Sequence, residues 1–74
     1  KPISYNVPAA FSKNKKPGRT EYLRARLNID GHAEIFKSEG SGRISGLSWA
    51  EGLVALDHNT ENVEKGNTVK YIPF

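Results

Sequence analysis

Thr20-Glu-Tyr-Leu-Arg-Ala-Arg-Leu-Asn-Ile29 is the stretch that decides the fold, because its side chains alternate between apolar and polar from residue 22 onward. In a β-strand, alternate residues lie on opposite faces, so this pattern predicts one buried and one solvated face. The predicted buried face carries Leu23, Ala25, Leu27 and Ile29. The opposite face carries Tyr22, Arg24, Arg26 and Asn28.

Asp30-Gly31 then turns the chain into a return strand, predicted at residues 32–37. A two-residue loop, the usual reading of Asp-Gly, would pair apolar against polar side chains on each face. A three-residue loop at residues 29–31, with Gly31 left-handed, restores matched faces. Because a one-residue slip moves every side chain to the other face, we predict the three-residue loop. The register that follows pairs Leu27 with Ala33, Arg26 with Glu34, and Ala25 with Ile35.

Two further strands are predicted in the second half of the chain. Residues 53–56 form a continuous apolar run, and residues 68–72 place Val69 and Tyr71 on one face before Pro73 ends the strand. A polar loop at residues 57–62 and a turn at residues 63–67 separate them. Several short strands with Gly and Pro turns are typical of a small barrel or sandwich. The strands are too few for a closed up-and-down barrel. We therefore predict an all-β fold, a small partly open barrel of bent hairpins.

The segment Ser38-Glu-Gly-Ser-Gly-Arg-Ile-Ser-Gly-Leu-Ser-Trp-Ala-Glu-Gly52 separates the two halves. It holds four of the seven glycines and the only tryptophan, Trp49. Ile44, Leu47 and Ala50 lie three residues apart, which predicts one short helical turn. We interpret the segment as an ordered loop between two hairpins.

Residues 1–17 precede the predicted hairpins and contain three prolines and four lysines. Two interpretations of this lead-in segment stay open. It is a linker from a preceding domain, or its alternating Ile3, Tyr5 and Val7 form an edge strand. We assign residues 1–17 as the lead-in segment and residues 18–74 as the β domain, within what looks like a piece of a longer protein.

Composition limits the chemistry of this 74-residue chain. It has no cysteine and two histidines, so neither disulfides nor a zinc site is expected. Residues 1–26 carry seven Lys or Arg against one acid, which favours an anionic ligand or partner. No complete catalytic constellation and no P-loop ending are present. We predict that the domain alone is not an enzyme, that it contains no catalytic or metal-binding residues, and that it does not associate with a membrane.

Two places could bind an anion. Gly40, Ser41 and Gly42 could expose backbone N–H groups beside the start of the short helical turn; the alternative is that the glycines only permit a bend. Arg24 could bind phosphate or carboxylate through two parallel hydrogen bonds, or could face solvent. Arg26 is predicted to pair with Glu34. Two other residues have no predicted binding role: Trp49 is expected to pack, and His58 to be solvated.

Four motifs in order resemble one known family: Pro17-Gly-Arg-Thr-Glu-Tyr-Leu-Arg24, Gly40-Ser-Gly-x-x-Ser45, Ala50-Glu-Gly-Leu-Val54 and Val63-Glu-Lys-Gly-Asn-Thr-Val69. The resemblance, from about Lys15 to Phe74, is to the C-terminal domain (domain IV) of the molybdopterin molybdotransferases, the bacterial MoeA family whose animal relative is gephyrin. It implies a small β-clip-like barrel. The chain departs from the family pattern at Leu56-Asp57-His58, where Leu-Pro is frequent, and at Gly46, where a serine is frequent.

The resemblance also implies a function. Such enzymes are cytoplasmic four-domain homodimers that insert molybdate into adenylylated molybdopterin (molybdopterin-AMP) and release AMP. The catalytic acids and the magnesium (Mg²⁺) site belong to another domain, and this domain faces the catalytic domain of the partner subunit across the cleft. Carried over by motif, Arg24 and Ser41 face the cleft, and Arg19 and Ser45 match family positions. The predicted substrate-binding residues are Arg24, Ser41, Gly40, Gly42, Ser45 and Arg19.

Two other functions are compatible with the sequence. The basic first third, with Tyr22, Arg24 and Arg26 on one strand face, would suit a non-catalytic β-barrel that binds nucleic acid. A protein-interaction module is the other alternative. Under the molybdotransferase interpretation, nucleic acid is not expected to be a partner.

Overall fold

The computed structural model describes residues 3–36 and 49–74, and within them the regular structure is almost entirely strand. Five strands form one sheet in the order β1-β7-β5-β3-β4, and β2 and β6 form a separate pair; every pairing within these sheets is antiparallel. The prediction of an all-β fold is confirmed. The strands in these ranges are β1 (Tyr5–Pro8), β2 (Lys13–Asn14), β3 (Glu21–Leu27), β4 (Ala33–Ile35), β5 (Gly52–Leu56), β6 (Asn62–Val63) and β7 (Thr68–Pro73).

The five-stranded sheet is curled so far that its two edges meet at one point. Ala9, directly after edge strand β1, forms a parallel bridge with Ala33 on the opposite edge strand β4. The next N–H, of Ala10, donates to the Ala33 carbonyl at 2.7 Å. Ala9 is 1% exposed and Ala33 is not exposed at all, so methyl side chains allow the edges to approach. The result is a half-barrel, which confirms the predicted partly open barrel.

The β3–β4 hairpin has the predicted register, with Leu27 opposite Ala33. Gly31 has a φ of +79°, the left-handed conformation that the three-residue loop requires. The Asn28 side-chain Oδ1 accepts hydrogen bonds from the Asp30 and His32 N–H groups at 2.9 and 3.0 Å, which closes the turn. The placement of Ile29 on the buried face is wrong. Strand β3 ends at Leu27, and Ile29 is fully exposed at the tip of the turn.

The core lies inside the curl of the sheet. Strand β5 is apolar throughout, yet burial alternates along it: Val54 and Leu56 are buried, while Leu53 and Ala55 are half-buried on the outer face. The expected strand at residues 53–56 is confirmed. Its side chains are all apolar, but their burial alternates, because only one face of the sheet points inward. The core cluster consists of Ala9, Phe11, Ala25, Ala33, Val54, Leu56, Val63, Val69 and Tyr71.

The lead-in segment packs against the sheet. Residues 5–8 form edge strand β1 along β7, so the structure has the edge strand that was one of the two alternatives. Phe11 is 4% exposed within the core cluster. Buried Lys15 donates from Nζ to the Lys16 and Thr60 carbonyls at 2.9 and 3.2 Å, which ties the segment to the loop after β5. The division of the chain at residue 17 stays a prediction.

Candidate functional site

Arg24 lies on the outer face of the half-barrel, where the alternation of β3 directs it away from the core. It is exposed, and its strand neighbours are Leu53 on β5 and, through a 2.8 Å hydrogen bond from the Phe36 N–H to the Arg24 carbonyl, the end of β4. These residues line a shallow depression of about 340 Å³, called here the Arg24 depression. Its lining is Tyr22, Leu23, Arg24, Phe36 and Leu53.

The Arg24 depression is suited to an anion with an attached ring or apolar part. A guanidinium group presents a planar fork that matches phosphate or carboxylate oxygens. The aromatic and aliphatic walls reduce local solvation, which strengthens such a charge-assisted hydrogen bond. Tyr22 is 61% exposed and so offers its ring to a ligand over the depression.

Arg26 faces the same way as Arg24 but is already engaged. Its Nε lies 3.6 Å from the Glu34 Oε1, which confirms the predicted cross-strand pair. Its Cζ lies 4.6 Å from the centroid of the Trp49 ring. Trp49 also packs against Phe36, with ring centroids 5.8 Å apart and a tilt of 56°, so it is a packing residue as predicted. The two arginines of β3 therefore have different surroundings, and Arg24 is the one available at the depression.

Arg19 lies at the other end of β3. It follows Gly18, which has a φ of +107° and whose N–H donates to the His58 carbonyl at 2.8 Å. At about 3.3 Å per residue along a strand, Arg19 is on the order of 16 Å from Arg24. The structure does not bring these two predicted site residues together.

The remaining predicted site residues, Gly40, Ser41, Gly42 and Ser45, lie outside the described residues, as does most of the predicted helical turn. The described residues on either side are Phe36 and Trp49, which contact each other beside the Arg24 depression.

A second depression, of about 240 Å³, lies at the end of β5 beside the loop that starts at Asp57. The Asp57 Oδ1 accepts hydrogen bonds from the Asn59 N–H at 3.0 Å, and from the Thr60 N–H and hydroxyl at 3.1 Å each. These bonds fix the loop that begins at Asp57. His58 is exposed, as predicted. The lining is Ala55, Leu56, Asp57, Thr60, Asn62, Val63, Asn67, Thr68, Val69 and Lys70.

Acid is expected to loosen this loop. The hydrogen bond from the Asn59 N–H, and then that from the Thr60 side chain, hold the pKa of Asp57 below its ordinary value of 3.8. A lowered pKa in the folded state stabilises the protein above the unfolded value, and this stabilisation is lost as the pH falls through the folded pKa. We expect wild type to be more stable than Asp57→Ala at pH 6, and the difference to shrink below pH 3.8. Urea unfolding of both proteins at several pH values measures this, and a difference that is constant down to about pH 2 would contradict it.

In residues 3–36 and 49–74, no three His, Asp or Glu side chains are grouped as around a metal ion. No helix in these ranges is long and apolar enough to cross a membrane. Sequence reasoning missed the stacking of Arg26 on Trp49. Twenty-two residues separate Arg26 from Trp49, so no local pattern could have signalled their contact.

These observations define a small half-barrel domain with an arginine-lined depression on its outer face. Residues 6–74 match the family model described as MoeA C-terminal region (domain IV), and the chain belongs to this family. The resemblance predicted from four short motifs is confirmed.

A solved structure shares the fold. It is the crystal structure of the molybdopterin biosynthesis moeA protein from Pyrococcus horikoshii OT3, which is similar with a TM-score of 0.77 and 19% sequence identity. The similarity covers 99% of this chain and 19% of that chain, so this chain spans about a fifth of the length of that relative. At this identity the likeness shows the fold alone.

Proposed function

We propose that this chain is the substrate-cleft domain of a molybdopterin molybdotransferase, an enzyme that inserts molybdate into adenylylated molybdopterin and releases AMP. Membership of the MoeA domain IV family supports the class of protein. The relative of known structure is named as a molybdopterin biosynthesis protein, which supports the pathway. The observation that assigns the proposed role to a particular residue is the position of Arg24 in a depression with aromatic walls.

In this proposal Arg24 holds one anionic group of the reactants: the pterin phosphate, the diphosphate linked to AMP, or molybdate. A fixed guanidinium group positions that anion and stabilises negative charge that develops as the bond to AMP breaks. Tyr22 and Phe36 bound the depression on which a ring system would lie.

Ser41 and the backbone N–H groups of Gly40 and Gly42 are proposed as the second part of this wall, with Ser45 nearby. The proposal for these residues rests on the motif Gly40-Ser-Gly-x-x-Ser45 and on membership of the family. Arg19 is proposed to contact a more distant part of the substrate, since it lies at the opposite end of β3.

The remaining components of the activity are assigned to the longer protein. We propose a cytoplasmic homodimer in which another domain supplies the catalytic acids and binds Mg²⁺. The cleft is completed by the catalytic domain of the partner subunit. The acids of the described residues are dispersed, so no step that needs a metal ion is assigned to this domain.

Arg24→Ala is the test of this assignment. In the full-length enzyme we expect the substitution to lower kcat/KM for molybdate insertion at least tenfold, which corresponds to about 1.4 kcal/mol of lost transition-state stabilisation. The matched control is Lys65→Ala, which removes one positive charge from an exposed turn that does not line the Arg24 depression. Equal activity of wild type, Arg24→Ala and the control would overturn the role of Arg24.

The nucleic-acid alternative would use the same outer face. It is less favoured because Glu34 and Trp49 already engage Arg26, one of the two arginines that it invokes. Affinity for single-stranded oligonucleotides that falls steeply with salt would support this alternative. The protein-interaction alternative would be supported by a defined complex formed by this domain alone.

A further inference from the structure

Four side chains on the outer face contact one another in series: Glu34, Arg26, Trp49 and Phe36. We call them the Trp49 clamp. The Arg26 guanidinium is held by the Glu34 carboxylate at 3.6 Å and lies over the Trp49 ring at 4.6 Å. The Trp49 ring in turn packs against Phe36, with centroids 5.8 Å apart. Each pair shares a member with the next, so moving one side chain disturbs the others.

The backbone on both sides of the Trp49 clamp is held against β3. The Phe36 N–H donates to the Arg24 carbonyl at 2.8 Å, and the Glu51 N–H, two residues after Trp49, donates to the Ala25 carbonyl at 2.9 Å. Phe36 and Trp49 therefore meet over two neighbouring residues of the same strand.

The Trp49 clamp also touches the proposed substrate site. Phe36 belongs to both, because it packs on Trp49 and lines the Arg24 depression. Arg26 lies two residues after Arg24 on the same strand face, but its charge is directed to Glu34. Only a planar guanidinium can hold a carboxylate with its edge while its face stacks on an indole ring. These two contacts explain why an arginine suits position 26, although Arg26 need not contact the ligand.

We propose that Arg26 is a positioning residue. With Glu34 it holds Trp49 over the sheet, and through Trp49 it sets the position of Phe36, which is a wall of the Arg24 depression. The functional part of this inference rests on the proposed function. The structural part, that Arg26 fixes the surroundings of Trp49, is independent of it.

The structural part is tested by ¹⁹F NMR of the full-length protein labelled with 5-fluorotryptophan. The Trp49 resonance is assigned as the one that Trp49→Phe removes. Arg26→Ala is expected to shift this resonance, and Arg26→Lys to shift it as well, because lysine keeps the ion pair but lacks the planar face. Lys65→Ala should leave it unchanged. An unchanged Trp49 resonance in both Arg26 variants would overturn the proposal.

The functional part is tested by steady-state kinetics of the same variants. Loss of positioning weakens ground-state and transition-state binding alike, so KM for adenylylated molybdopterin is expected to rise about fivefold in Arg26→Ala while kcat changes less than twofold. Arg26→Lys should lie between Arg26→Ala and wild type. If Arg26→Ala does not fold, Arg26→Lys and Glu34→Gln give the same test. A shifted resonance with unchanged KM would overturn the positioning role.

The two proposals fail in distinguishable ways. If the wild-type full-length protein does not insert molybdate, the proposed function fails, whereas the ¹⁹F shift still reports on the Trp49 clamp. If Arg24→Ala loses activity but neither Arg26 variant alters the Trp49 resonance, the proposed function survives and the positioning role of Arg26 is overturned.

Discussion

Phe11→Ala is expected to lower the free energy of unfolding by about 4 kcal/mol, the middle of the range for truncating a buried phenylalanine. Phe11 is 4% exposed and belongs to the core cluster, together with Val54 and Val63. A domain of this size has a total stability of roughly 5 kcal/mol. The variant should therefore be close to unfolded at 25 °C, which urea unfolding of the 74-residue chain, followed by circular dichroism, measures.

Phe74→Ala is the matched control, because the Phe74 side chain is 76% exposed and the substitution keeps its backbone hydrogen bond to Glu51. It should change the free energy of unfolding by less than about 0.5 kcal/mol. A loss below about 1 kcal/mol for Phe11→Ala would contradict its place in the core. The outcome also bears on the domain boundary, since a large loss would make the stretch before residue 17 part of the folding unit.

Gly52→Ala is the second large effect, with an expected loss of about 3 kcal/mol in the free energy of unfolding. A Cβ at this position would lie 2.6 Å from the Ile72 carbonyl oxygen and 2.8 Å from the Tyr71 Cζ and Oη. Gly52 is buried on β5 between Ala25 of β3 and Pro73 of β7. The carbonyl belongs to a paired strand and cannot move aside without disturbing the ladder. Urea unfolding measures the loss.

Gly66→Ala separates this clash from the general cost of replacing a glycine. Gly66 has a φ of +93° and open space around it, so alanine there meets only backbone strain, about 1 kcal/mol. In a Gly52→Ala background, Tyr71→Phe removes one contacting atom and should restore part of the stability. If Gly52→Ala lowers the free energy of unfolding no more than Gly66→Ala does, the expected clash is absent and β5 and β7 separate easily.

Much of the fold was predictable because period-two alternation is a local property. The three-residue loop and the pairing of Arg26 with Glu34 followed from matching the faces of residues 23–27 and 33–35, and both are confirmed. The error at Ile29 arose at the end of the strand. There the Asn28 side chain closes the turn, and the alternation no longer reports which face is buried.

The candidate site was only partly predictable. Alternation alone directed Arg24 outward, and the structure confirms this direction. The other walls of the Arg24 depression come from β4 and β5, and Leu53 is separated from Arg24 by more than twenty-five residues. The sequence already distinguished the two arginines, because Arg26 was predicted to pair with Glu34 and the structure confirms that pair. The stacking of Arg26 on Trp49 was not predictable, because Trp49 reaches Arg26 only through the folded chain.

By itself the sequence determined strands β3, β4, β5 and β7, the β3–β4 register and the family, because each depends on side-chain order over short distances. The tertiary structure alone decided that the two edges of the sheet meet, through the bridge between Ala9 and Ala33. It alone decided that Arg26 stacks on Trp49 and that Leu53 lines the depression beside Arg24. The physical reason is the same in each case. These contacts join residues that are distant in the chain, and they form only when the sheet curls around its core.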